Sequence, residues 1–207
     1  CSNLSNVVLS KNLEYLGAMA FGDCTKITQV EIPKSLDGCG SSLYDYGPFG
    51  RCTGLNKVTF ENGTTEISNY LFEKCTGLEE VVIPGTVTVI ENSAFSGCTN
   101  LKTVSIPKGM KEIENYAFYG CTSLTKVTIP DTVTDMGTSV FSSCTSLVEV
   151  HLPNVRQNIP SSTFYNCKKL TTVNFPSTLK AIRQNAFYGC ESLTQAVLPT
   201  GLETIES

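Results

Sequence analysis

The sequence predicts a solenoid of stacked 23-residue coils, with a parallel β-sheet on one face and short turns or 3₁₀ segments on the other. Three observations predict it. Cysteines stand at 1, 24, 39, 52, 75, 98, 121, 144, 167 and 190, and the step from Cys52 to Cys75 repeats unchanged through to Cys190 and also separates Cys1 from Cys24. Apolar residues follow every one of these cysteines but Cys39 at fixed offsets: Leu or Ile at three, Val at six (Ala196 in the last copy), and Ile, Leu or Phe at eight. Whole phrases also recur, as in "NSAFSGCTNLKTVSIP" (92–107) and "NYAFYGCTSLTKVTIP" (115–130). A period of this length marks a repeat array.

Each coil can be read in order. Val-x-Ile has period 2, the pattern of a short strand with one face buried. Pro follows in seven of nine copies, with Ser10 and Glu61 as the exceptions, and it ends the strand because it has no N–H to donate. A second inward residue comes next, at Leu16, Ile67, Ile90, Ile113, Met136, Ile159, Ile182 and Ile205, within a turn-like stretch. Phe closes the unit at 21, 49, 72, 95, 118, 141, 164 and 187. The preceding "ENSAF" or "ENYAF" is too short for a free helix. It predicts one helical or 3₁₀ turn packed on the core. A lone coil cannot bury its apolar side, whereas stacked copies bury each other's. Strands about 4.8 Å apart make nine coils a rod of roughly 40 Å.

The register predicts one solenoid of about nine coils over 1–207. It slips once, between Cys24 and Cys52, where the step exceeds the period by five. A five-residue insertion therefore lies within 33–51, and Cys39 reads as part of it. The last unit, "CESLTQAVLPTGLETIES", stops before its Ala-Phe turn, so a further coil, a cap or a partner is expected over that end. A chain opening on Cys1 reads as a processed or trimmed piece.

Ten cysteines could be a disulfide framework, a metal cage or buried thiols. Neighbouring ladder cysteines are close enough to bridge, but their Cβ vectors run parallel instead of toward each other. No Cys-x₂-Cys spacing brings ligands to a zinc ion. The shared position between Phe and Leu favours buried, reduced thiols for the eight ladder cysteines from 24 to 190. Cys39 stands outside that expectation.

Charged residues make up 16% of the chain and the formal charge is −4, a poor match for a nucleic-acid backbone. No run of about 20 apolar residues could cross a membrane. One histidine and no tryptophan leave little for an enzyme mechanism. Glycine spacing matches no phosphate-binding loop. The sequence predicts no catalytic residue, cofactor or metal. "NLS" at 3–5 and "NGT" at 62–64 fit glycosylation acceptors in a eukaryotic secretory route.

The phrases "CTSLTKVTIPDTVTDMGTSVF" (121–141) and "CTGLEEVVIPGTVTVIENSAF" (75–95) resemble leucine-rich repeats of the BspA-like family, found in bacterial and protist surface proteins. The resemblance covers essentially the whole chain. It implies a leucine-rich-repeat solenoid, a secreted or cell-surface location, and adhesion to a protein or glycan of a host or neighbouring cell. The other reading in play is a passive spacer carrying a functional domain elsewhere.

Residues four, five and seven after each cysteine should face outward and offer a mixed polar sheet. Glu80, Lys102, Lys126, Glu149 and His151 are the candidate contacts there, with Lys57, Lys102 and Lys126 set beside Glu79 and Glu80 as cross-strand pairs. His151 and Glu149 could be drawn as an acid–base pair, but a histidine on an open sheet is more often a plain surface residue. The insertion adds Tyr44 and Tyr46, since tyrosine brings contact area at low entropic cost.

Overall fold

The computed structural model describes residues 1–40 and 46–207. Its regular structure is all strand: β1 (Tyr15–Leu16), β2 (Gln29–Ile32), β3 (Gly38–Cys39), β4 (Lys57–Phe60), β5 (Glu66–Ile67) and β6 (Glu80–Val82). The series continues with β7 (Val89–Ile90), β8 (Thr103–Ser105), β9 (Glu112–Ile113), β10 (Lys126–Thr128) and β11 (Asp135–Met136). It closes with β12 (Glu149–His151), β13 (Asn158–Ile159), β14 (Thr172–Asn174), β15 (Ala181–Ile182) and β16 (Thr204–Ile205). Every pairing is parallel.

The even-numbered strands from β2 to β14 carry the Val-x-Ile phrase and form the predicted sheet face. Its ladder is interrupted, running β2-β4, then β6-β8, then β10-β12-β14. Like meets like across it, with Val127 opposite Val150 and Val150 opposite Val173. The valines turn inward, and Val81, Val127 and Val150 are buried.

The remaining strands make a second ladder that the sequence did not announce. They run β1-β3, β5-β7-β9-β11 and β13-β15-β16, each two residues long. The second residue of each is the Ile of the repeat or its substitute (Leu16, Cys39, Met136), and it is buried in all but β16, where Ile205 is exposed. Cys39 corrects the reading above: it is not in the insertion but in β3, opposite Leu16 and buried. It follows Cys24 at the same offset by which Leu16 follows Cys1 and Ile67 follows Cys52. The extra residues come after it, ahead of Gly47. A Cβ at Gly47 would clash with the Tyr70 carbonyl oxygen, so only glycine lets the backbone approach the next coil this closely.

The Ala-Phe segment closes as turns, with neither α nor 3₁₀ helix among the described residues. Alternating backbone directions explain this. Ser93, Phe95 and Gly97 donate their N–H groups to Asn115, Ala117 and Tyr119 carbonyls of the next coil, while Ala94, Ser96 and Cys98 donate back to Glu91, Ser93 and Phe95. Left-handed φ at Ser93 (55°) and Gly97 (71°) sets that alternation. The same two positions recur as Tyr116 (57°) and Gly120 (68°), and as Ser162 (55°) and Asn166 (57°). Backbone polar groups are thus satisfied along the stack instead of within a helix.

The core is one apolar column from Leu16 to Ala186. Phenylalanines stack ring on ring through it, from Phe21–Phe49 at 5.1 Å to Phe164–Phe187 at 5.4 Å. Cysteines stack beside them. Each of Cys75, Cys98, Cys121, Cys144 and Cys167 is fully buried and donates its thiol to the phenylalanine carbonyl of the preceding coil, at 3.1–3.3 Å. All ten cysteines are free, with Cys1 exposed and Cys190 half-buried.

Burial raises these thiols: Cys98 and Cys144 to about 12, Cys52 and Cys190 to about 11. An acid whose folded pKa is raised keeps its full stabilisation below the ordinary thiol value of 9.0 and loses it as pH climbs toward the folded value. We therefore expect the urea midpoint to fall between pH 9 and 12, less steeply once Cys98 and Cys144 are both alanine. At neutral pH a thiol reagent should label few groups in the native chain and nearly all of them in urea. Four or five bridges found by mass spectrometry would refute the packing described here.

Candidate partner-binding surface

The outward positions of β10 and β12 bring three of the candidate contacts together. Register sets Lys126 opposite Glu149 and Thr128 opposite His151. Lys126 Nζ lies 2.9 Å from Glu149 Oε2, and His151 Nε2 lies 2.6 Å from Glu149 Oε1. Bonding to Lys126 first, and to His151 second, holds the Glu149 carboxyl below its usual range. His151 faces Thr128 on one side and Asn174 on the other. Among the described residues no hydrogen bond joins it to a hydroxyl nucleophile.

Lys102 is exposed and bonded to Glu79 at 2.7 Å. Glu80 lies on β6 opposite Thr103. Together with Lys57 it borders an open hollow of about 440 Å³, where Phe60, Pro84 and the exposed Val82 supply apolar surface. The hollow falls where the ladder between β4 and β6 is interrupted.

Tyr46 lies elsewhere. Lys74 Nζ donates to its hydroxyl at 2.9 Å and sits 4.1 Å from its ring centroid, while the Arg51 guanidinium lies 4.9 Å from that centroid. Arg51 is tied to Asp23 at 2.5 Å. Lys74 bonding pulls the Tyr46 phenol below its usual value. Arg51 and Lys74 immediately precede Cys52 and Cys75, so Tyr46 belongs to the turn side and not to the strand face. Tyr44 lies outside the described residues.

The turn side carries further aromatics that the sequence reading passed over. Tyr116, Tyr119 and Tyr188 are exposed. Tyr116 and Tyr119 meet edge to face at 5.9 Å, and Tyr165 and Tyr188 stack at 5.0 Å. Their signal was present in the register: Tyr119, Tyr165 and Tyr188 each stand two places before a repeat cysteine, and Tyr116 stands five places before one.

The family described as BspA type leucine-rich repeat region matches residues 1–124, 45–147 and 111–207, in 6 copies. Among solved structures, a leucine-rich repeat protein from T. pallidum is 31% identical over 86% of this chain and 73% of its own, with a TM-score of 0.65. A leucine-rich repeat protein from Eubacterium ventriosum is 20% identical over 99% of this chain and 81% of its own, with a TM-score of 0.56. The pneumococcal vaccine antigen PcpA is 20% identical over 95% of this chain and 55% of its own, with a TM-score of 0.53. No curated protein matches the chain. No helix among the described residues is long and apolar enough to cross a membrane.

Proposed function

This chain belongs to the BspA-type leucine-rich repeat family, and from that premise we propose that it is a non-catalytic interaction module, acting outside the cell or on its surface in adhesion to a protein or glycan partner. The whole of 1–207 acts as one solenoid in this reading. The observation that carries it is the division of labour within each coil. Val, Ile, Phe and Cys are committed to the core, while the strand positions around Glu80, Lys102, Lys126, Glu149 and His151 are free to change without unfolding a coil. Solenoids use such extended faces for binding. Among the described residues no hydroxyl is bonded to the Lys126–Glu149–His151 cluster on this open sheet, so the nucleophile that general-base catalysis would activate is not in place there.

The test is binding of the chain to immobilised collagen, laminin and fibronectin. We expect at least one to bind, and Lys102→Glu with Lys126→Glu to weaken it tenfold or more. Circular dichroism should not change, because exposed ion pairs are worth only about 0–1 kcal/mol. Tyr44→Ala with Tyr46→Ala examines the turn-side contact separately. No binding to any of the three proteins would favour a passive spacer.

A further inference from the structure

We propose that the turn ridge of the C-terminal half binds a neutral carbohydrate through Tyr116, Tyr119, Tyr165 and Tyr188. The proposal rests on the interaction-module reading and gives it a second surface. Three positions per coil form the ridge: the fifth, the second and the first before each repeat cysteine. Between residues 93 and 189 these positions hold only Tyr, Ser, Gly and Asn. In the N-terminal half the same positions include Asp23, Arg51, Glu73 and Lys74. One half of the ridge is charged and the other is aromatic and uncharged.

The tyrosines are not explained by packing. Tyr116 and Tyr119 are 43% and 41% exposed, and Tyr188 is 61% exposed. Tyr116 holds the left-handed φ (57°) that the repeat sets at this position, shared by Met19, Tyr70, Ser93, Ser139, Ser162 and Asn185. The backbone beneath is fixed by bonds from Gly97, Ser143 and Asn166 N–H groups to the Tyr119, Tyr165 and Tyr188 carbonyls. The rings are therefore presented from a rigid base.

Tyr119 and Tyr165 occupy one repeat position two coils apart, about 10 Å by strand spacing. Ser142, at that position in the coil between, is buried. Between Tyr119 and the stacked Tyr165–Tyr188 pair the ridge thus dips to one low serine step. A pyranose ring matches this: its C–H face stacks on a tyrosine, and its edge hydroxyls meet Ser, Asn and Tyr groups. Cations flanking the ridge are already paired, Lys168 with Glu191 at 3.2 Å and Arg183 with Glu206 at 2.6 Å, so an acidic sugar finds no free counter-charge in them. A protein partner fits less well, because a standard interface takes about 800 Å² per side around an apolar centre. This ridge is three residues wide and has no aliphatic side chain.

The probes are cellotetraose, chitotetraose and lacto-N-neotetraose, titrated calorimetrically against the full chain, with sialyllactose and heparin beside them. We expect at least one neutral probe to bind, and Tyr119→Ala and Tyr188→Ala each to weaken it tenfold or more with unchanged circular dichroism. Ser142→Leu, which raises the step, should do the same. Lys11→Glu, at an exposed position in the first coil, should leave sugar binding unchanged. The proposal is overturned if no neutral probe binds, if only the acidic sugars bind, or if both tyrosine variants bind as the parent does. It is also overturned if the tyrosine variants lose a matrix protein and no sugar. Matrix-protein binding that survives the failure of every sugar would remove the ridge alone; loss of both would remove the module reading as well.

Discussion

Phe118→Ala is expected to destabilise the chain by about 3–5 kcal/mol, the cost of truncating a fully buried aromatic. Phe118 has no exposed surface, and its ring lies 5.4 Å from Phe95 and 5.5 Å from Phe141, each at an interplanar angle of 3°. Offset stacking of this kind adds to the area it buries. The cavity opens in the middle of the stack, between two coils that depend on each other and on little else. Phe187 supplies the control, because it is half-buried and stacks on Phe164 alone in that column. Phe187→Ala should cost less than half as much. Urea unfolding followed by circular dichroism reads both. Equal losses, or a Phe118→Ala loss under about 1 kcal/mol, would show that the aromatic column is not the spine of the fold.

Cys121→Asp should have a larger effect and leave the chain unfolded at room temperature. Cys121 has no exposed surface, and its Sγ donates to the Phe95 carbonyl at 3.3 Å. That carbonyl also accepts the Cys98 N–H at 3.2 Å. A carboxylate there would aim an acceptor at an acceptor and place a charge where water cannot reach, a penalty of at least several kcal/mol. Against a typical stability of about 5–15 kcal/mol, little would remain. Cys121→Ala isolates the thiol bond. The carbonyl keeps its backbone partner, so the loss should be about 1–2 kcal/mol, the sum of one modest hydrogen bond and a small void. A cooperative native-like transition in Cys121→Asp would contradict this account of the cysteine column.

The strand face, the phenylalanine column and the buried cysteines were legible because each depends on one residue type at one offset. The second ladder was not, because a two-residue strand is too short to show a period. Cys39 was misplaced for a related reason: its residue type suggested the cysteine column, while its offset belonged to the Ile column. Arg156 was invisible in a different way. It sits in an otherwise largely apolar column, at the place of Val133 and Leu179, and is nearly buried. It is tolerated because Nη1 donates to the Thr134 carbonyl at 2.9 Å and Nε to the Asn158 carbonyl at 3.2 Å. No spacing announces such bonds. On the sheet face, Lys126 meets Glu149 and not Glu79 or Glu80 as expected, because register sets each residue opposite the one a single repeat away. The tyrosine ridge was overlooked because turns closed by stacking were read as fully occupied by it.

The hydrogen bonds between coils all point along the stack, and this gives the molecule a mechanical character. A pull between the two end coils loads the bonds of one coil at a time, so the chain peels instead of shearing. Each coil released frees a whole repeat of chain, about 80 Å of slack at roughly 3.5 Å per residue, in exchange for about 5 Å of folded height. Coils still stacked keep their outward residues in place while the released ones stretch. A contact made by such a chain is held on a tether that lengthens under force before it lets go.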